Sequence, residues 1–230
     1  MSTLILRLAA PMQAWGADSK YNYRETNREP TKSGVIGLLA AALGCSREDT
    51  ETLKILGELR FGVRVDREGL PLRDYQMAHH ILPNGKEEST QTYRDYLCDA
   101  VFMVGLEGDP ELLKKLENAV RHPVYPLFLG RRSCPPTLPI CLGIEDGMLE
   151  EVLRRVPWTK PASNRSQNAP NLRLMLDTEG GYAQRRDVPI SFRPVRREFG
   201  FRSIREELLP NPSVPAAEHD PMAELRGDMK

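Results

Sequence analysis

No stretch of this chain stays apolar for the eighteen or so residues that a bilayer-spanning helix needs, and its first residues carry no long apolar run of the secretory kind. Net charge is missing too. The 32 Lys and Arg balance 32 Asp and Glu, so no overall field draws the chain to nucleic acid or an anionic surface, and such binding has to use a local patch. Cys45, Cys98, Cys134 and Cys141 show no zinc-type pairing and no disulfide framework. Free thiols in a soluble, cytoplasmic protein are the expectation. No Gly-x-Ser-x-Gly elbow, dinucleotide glycine fingerprint or G-x-x-x-x-G-K-[ST] loop occurs. Asp74, Asp95 and Asp99 have no His or Cys spacing beside them to support a metal. No cofactor is expected.

What is present suits one large domain, or one domain with an appendage, since 40% of the 230 residues are apolar. Residues 3–8 read as a strand stopped by Pro11, and residues 12–29 as a long loop carrying Trp15, Tyr21, Tyr23, Arg24 and Arg28. A buried helix follows through residues 35–43, capped by Thr31 or Ser33 and ended by Gly44. Ser46 with Asp49 reads as a capping box for a short second helix. Residues 61–66 alternate as a strand. Residues 74–98 fold about Pro83-Asn84-Gly85 into a hairpin too polar to bury both faces, so it projects. Strand 100–106, a helix opened by Asp109-Pro110 and strand 125–129 complete a βαββαβ order. The fold class is therefore α+β, ferredoxin-like, with an inserted hairpin thumb. Residues 1–143 form that domain and residues 144–205 a β-rich extension, with a loop at 159–170. Residues 206–230, with six acids against two cations, form a disordered tail. Residues 185–205 hold seven arginines against two acids, so the neutral total hides a basic zone.

The chemistry centres on Gly130-Arg131-Arg132-Ser133. Two guanidinium forks and a hydroxyl beyond a glycine suit phosphate oxygens. Lys32 and Ser33, at a helix N-terminus, make a second candidate anion site. Trp15 either stacks on a base or plugs the core. For metal-free RNA cutting, His79, His80, Tyr93 and Lys86 are the candidate acids and bases, but neighbouring histidines point to opposite faces of a strand.

Several ordered runs carry a resemblance. They are Leu6-Arg7-Leu8 with Pro11-Met12-Gln13-Ala14-Trp15-Gly16, Pro30-Thr31-Lys32-Ser33-Gly34, Arg73-Asp74-Tyr75, Thr92 and Arg94 with Tyr96-Leu97-Cys98-Asp99-Ala100, and Leu129-Gly130-Arg131-Arg132-Ser133-Cys134-Pro135. The chain resembles the CasD family, a subunit of the type I-E CRISPR surveillance complex Cascade. The resemblance implies a non-catalytic protein that grips the 5′ handle of the mature CRISPR RNA (crRNA). It also implies docking against the CasC backbone and CasA large subunits, with target DNA nearby. The residues themselves agree with it. Arg131, Arg132 and Ser133 with Lys32 and Ser33 are the expected RNA-binding groups for the handle phosphates, and Arg24 and Arg28 lie on the neighbouring loop. Arg94 stands at the base of the hairpin expected to wedge against the neighbouring subunit and bend the RNA, and Trp15 either supports the site or stacks on RNA. The alternative is a metal-independent endoribonuclease acting on CRISPR repeat RNA.

Overall fold

The computed structural model describes residues 1–16, 22–158 and 171–210. The expected loop at 159–170 and most of the acidic tail lie outside them. Strand β1 (Ser2–Ala9) places Leu4, Leu6 and Leu8 in the larger core and Ile5 in a smaller one across the sheet. That division follows from the two-residue period of a strand buried on both faces. Helix α1 (Lys32–Leu43) is capped by the Thr31 hydroxyl, which accepts from the Gly34 amide, and ends in left-handed Gly44. The second helix, α2 (Thr50–Gly57), takes its cap from Asp49 rather than from a Ser46 box. The Asp49 carboxylate reaches the Thr52 amide at 2.9 Å, whereas Ser46 accepts only from Glu48 in the preceding turn.

Strands β4 (Arg60–Arg67) and β7 (Val101–Gly108) follow, then α3 (Pro110–Arg121), β8 (Cys141–Asp146) and α4 (Leu149–Arg155). With β9 (Asn171–Asp177), β10 (Ala183–Arg193) and β11 (Arg196–Pro210) they build a seven-stranded sheet ordered β10-β11-β9-β4-β7-β1-β8. Every pairing in it is antiparallel. The architecture is mixed α+β. Helices α1 and α3 cover the larger core, with Leu113 and Leu116 fully buried, and α4 covers the smaller with Leu149, Val152 and Leu153. Arg64 is 2% exposed and donates to the Leu153 and Val156 carbonyls at 2.7 and 2.6 Å, closing the C-terminus of α4, while Asp66 balances its charge. No helix among the described residues is long and apolar enough to cross a membrane.

Four sequence expectations change. Residues 125–129 are not a strand; the last strand of the first half is β8. Pro126 removes a ladder donor within that stretch and Pro123, Pro135 and Pro136 flank it, and the amides in and beside it turn elsewhere. Val124 and Tyr125 donate to the Ala42 and Ala41 carbonyls of α1, and Leu129 to Cys134. The supposed loop 12–29 contains two short strands, β2 (Met12–Gln13) and β3 (Tyr23–Arg24). Residues 206–210, expected in the tail, complete β11, where Leu209 packs into the smaller core opposite Leu172. The extension joins the same sheet, because β9 pairs directly with β4.

The hairpin is present and longer at its base than the sequence indicated: β5 (Leu70–Ile81) pairs with β6 (Glu87–Cys98) in a second, four-stranded sheet that also takes in β2 and β3. Eleven of the twelve β5 residues are exposed, so that strand stands away from the body, while β6 enters the larger core at the base through Tyr96 and Leu97.

Asp109 accepts from the Leu112 amide at 2.9 Å and stands before Pro110 at the start of α3. Asp109→Ala is expected to cost about 1 kcal/mol, read as a fall of about 3 °C in melting temperature, without altering the fold seen by circular dichroism.

Candidate nucleic-acid interface

Two short strands tie the N-terminal loop to the hairpin. β2 pairs antiparallel with the end of β6, and β3 pairs parallel with its middle, bringing Arg24 into register with Arg94 and Tyr23 with Tyr93. Gln13 makes the bracket. It is fully buried; its amide nitrogen donates to Leu8 and Ala100 carbonyls at 3.3 and 2.8 Å, and its oxygen accepts from Trp15 Nε1 at 3.1 Å. Trp15 is 1% exposed and lies on the first turn of α1, where a Cβ on Gly34 would press on its ring. The ring is core, not a stacking platform, and its assignment to RNA is corrected accordingly.

Beyond Leu129 the chain turns at Gly130 with φ +85°. The Leu129 carbonyl accepts from Ala14, and a Cβ at Gly130 would overlap the Ala14 carbonyl oxygen. This contact fixes the next residue. Arg131 lies over the Tyr96 ring with 4.6 Å from guanidinium carbon to centroid, and its Nη2 donates to the Arg24 carbonyl at 2.6 Å. Among the described residues its Nη1 is buried without an acceptor, and so is Arg94 Nε. Arg94 and Tyr96 stand two residues apart on one strand and so share a face. Asp95, between them, is taken by Arg73 in a two-pronged ion pair at 2.7 and 3.0 Å. The Arg73 hydrogen bonds hold the Asp95 carboxyl below the usual carboxylate range, with Arg131 adding to the effect. Arg132 and Ser133 follow Arg131 in the chain and are exposed, as is Arg28.

Lys32 and Ser33 do not join it. Lys32 is 5% exposed, with Nζ 3.1 Å from Asp177, and its backbone amide donates to Asp187 at 2.9 Å. Ser33 is buried beside Thr31. The amides expected to receive an anion are already satisfied by the protein's own acid and cap, which corrects that assignment. Arg202 locks the same acids, reaching Asp187 at 2.6 Å and Asp177 at 2.5 Å. Much of the C-terminal basic zone is likewise spent internally: Arg185 on Glu29, Arg196 on Glu198, and Arg205 on Glu150 and Glu207.

The candidate ribonuclease groups do not converge. His79 Nδ1 lies 2.9 Å from Ser89 Oγ, and His80 Nε2 lies 3.3 Å from Glu88, both exposed and on opposite faces of β5. Tyr93 stacks on Tyr23 with ring centres 5.0 Å apart. Sequence reasoning missed Tyr96 as the platform under Arg131, although its two-residue spacing from Arg94 was a usable signal.

An α+β body with a standing hairpin, and unpaired guanidinium nitrogens gathered at the hairpin's base, is the build of a protein that holds an anionic strand. The chain belongs to the CRISPR-associated protein family Cas_Cas5, whose pattern matches residues 3–205. The CRISPR system Cascade subunit CasD of Escherichia coli (strain K12) is 45% identical over 161 residues, 62% of this chain and 70% of that protein. A solved CRISPR RNA-guided surveillance complex contains a chain similar to this one at TM-score 0.76 and 31% identity, covering 98% of both chains. A crystal structure of a Cas protein matches at TM-score 0.72 and 38% identity, covering 93% of this chain and 97% of that one.

Proposed function

We propose that this protein is the subunit of a type I-E Cascade complex that binds the 5′ handle of the mature crRNA and caps the backbone assembly without cutting RNA. One observation carries the reading: Arg131 Nη1 and Arg94 Nε are buried donors with no acceptor among the described residues. A buried, unanswered donor costs about 1–3 kcal/mol, and phosphate oxygens at the hairpin base would remove that cost. Arg24, Arg28, Arg132 and Ser133 complete the site, while Trp15, Lys32 and Ser33 support it from beneath. The antiparallel order β8-β1-β7-β4, read with α1 and α3, supports reading the body as a ferredoxin-like unit. In this reading the hairpin docks on the CasC subunit beside the CasA subunit and the incoming DNA. Co-expression is the test. The protein should purify with one defined short RNA and a repeating backbone subunit, and recovery without RNA would defeat the proposal.

The endoribonuclease alternative gains nothing from the separated histidines. Purified protein incubated with CRISPR repeat RNA in EDTA is expected to leave it full length on a denaturing gel. Cleavage that His79→Ala or Tyr93→Phe abolished would reverse this conclusion.

A further inference from the structure

A groove runs beside Gly130 on the side of the molecule facing the C-terminal hairpin β10–β11. It is a hollow of about 230 Å³ between the glycine face of α1, the 126–130 segment and the rings of Phe192 and Phe199, with Arg197 at its rim. Gly37 leaves room for the Phe192 ring, whose nearest atoms would lie 3.6 Å from a Cβ placed there. Phe192 and Phe199 meet at a tilt of 60° with centres 6.5 Å apart, so the wall is aromatic along its length. Arg197 is exposed and forms no ion pair or hydrogen bond among the described residues, unlike the five other basic-zone arginines tied to carboxylates or to the Phe199 carbonyl. The 126–128 segment also lines a second hollow, which includes Arg132.

We propose that this groove takes one unstacked nucleobase of the bound single-stranded RNA, with Arg197 on the adjoining phosphate. The C-terminal hairpin is then the second wall of the RNA site. Ring faces, a cation and a close-packed glycine floor are the elements with which proteins hold single-stranded bases. Continuity favours RNA over a peptide: the groove reaches Gly130, one residue before the Arg131 site, and its one lining cation, Arg197, is left without a partner among the described residues. The inference rests on the handle-binding reading and deepens it.

The experiment uses the assembled complex and its RNA, with Arg193 as an internal control. Arg193 is a second unpaired arginine of the same hairpin, lining a different hollow against α2. Arg197→Ala is expected to weaken RNA retention about tenfold and to lower the slope of log affinity against log salt by about 0.7, one single-strand phosphate contact. Arg193→Ala should change neither. A 2-aminopurine base placed at successive handle positions should brighten at one position only in Phe192→Ala or Phe199→Ala, as its stacking partner is lost. Equal losses for Arg193→Ala and Arg197→Ala would mean a diffuse field and overturn the groove. Release of a protein subunit by Arg197→Ala, with RNA retention unchanged, would make this a protein-docking surface and also overturn it. If Arg94 and Arg131 variants lose RNA while Arg197→Ala does not, the groove fails and the handle reading survives.

Discussion

Replacing Arg94 and Arg131 together with alanine is expected to weaken retention of the crRNA 5′ end by at least about a hundredfold in the assembled complex. Hydrogen bonds to charged groups contribute about 1.5–3 kcal/mol each, and a factor of ten is about 1.4 kcal/mol. The loss should come with little change in melting temperature, because neither guanidinium forms an ion pair with a carboxylate among the described residues. Arg131 would give up its place on Tyr96, its bond to the Arg24 carbonyl and its weak through-space attraction to Asp95. The salt dependence should flatten by about 0.7 for each phosphate contact removed. Arg131→Lys separates fork from charge: it should keep the salt slope but recover only part of the affinity, since an ammonium cannot donate in parallel. Filter binding of end-labelled handle RNA at several salt concentrations measures both variants. Unchanged retention in the double variant would remove the basis for placing phosphate at the hairpin base.

The second large effect is expected from Gly130→Ala. A side chain there must take φ +85° and also overlap the Ala14 carbonyl, which belongs to rigid backbone. Left-handed geometry costs an ordinary residue about 1–2 kcal/mol, and the overlap forces the 12–16 bracket to move. The total should reach about 3–5 kcal/mol, a fall of about 10 °C in melting temperature. Gly85→Ala is the matched control, because Gly85 has φ +80° in the hairpin turn with nothing within 4 Å. It should show the conformational cost alone. Equal shifts for the two variants would show that the Ala14 contact carries no energy. RNA retention should fall with Gly130→Ala but not with Gly85→Ala, since only Gly130 sets the direction of Arg131.

Several parts of the fold were legible because their cause is local. The Asp109-Pro110 start of α3, the Thr31 cap and Gly44 end of α1, and the Asn84-Gly85 turn each depend on a few adjacent residues. The strand at residues 125–129 was misread because apolar content outweighed the prolines around it. In the folded chain those amides close the end of α1 instead of joining a ladder. Glu206 and Glu207 looked like tail because their charge was counted without partners. In β11 they meet Arg173, and Arg154 and Arg205, respectively.

The sequence by itself determined which residues could hold an anion: the Gly130-Arg131-Arg132-Ser133 run and Arg94 are visible as charge, fork and turn in a one-dimensional string. Only the tertiary structure decided which cations remain available. Lys32 and Arg202 are consumed by Asp177 and Asp187, more than 140 residues from Lys32 along the chain, whereas Arg131 and Arg94 keep unanswered nitrogens beside Tyr96. The reason is that an ion pair depends on distance in space. Strand pairing brings acids to some cations and aromatic faces to others, and no local pattern records which.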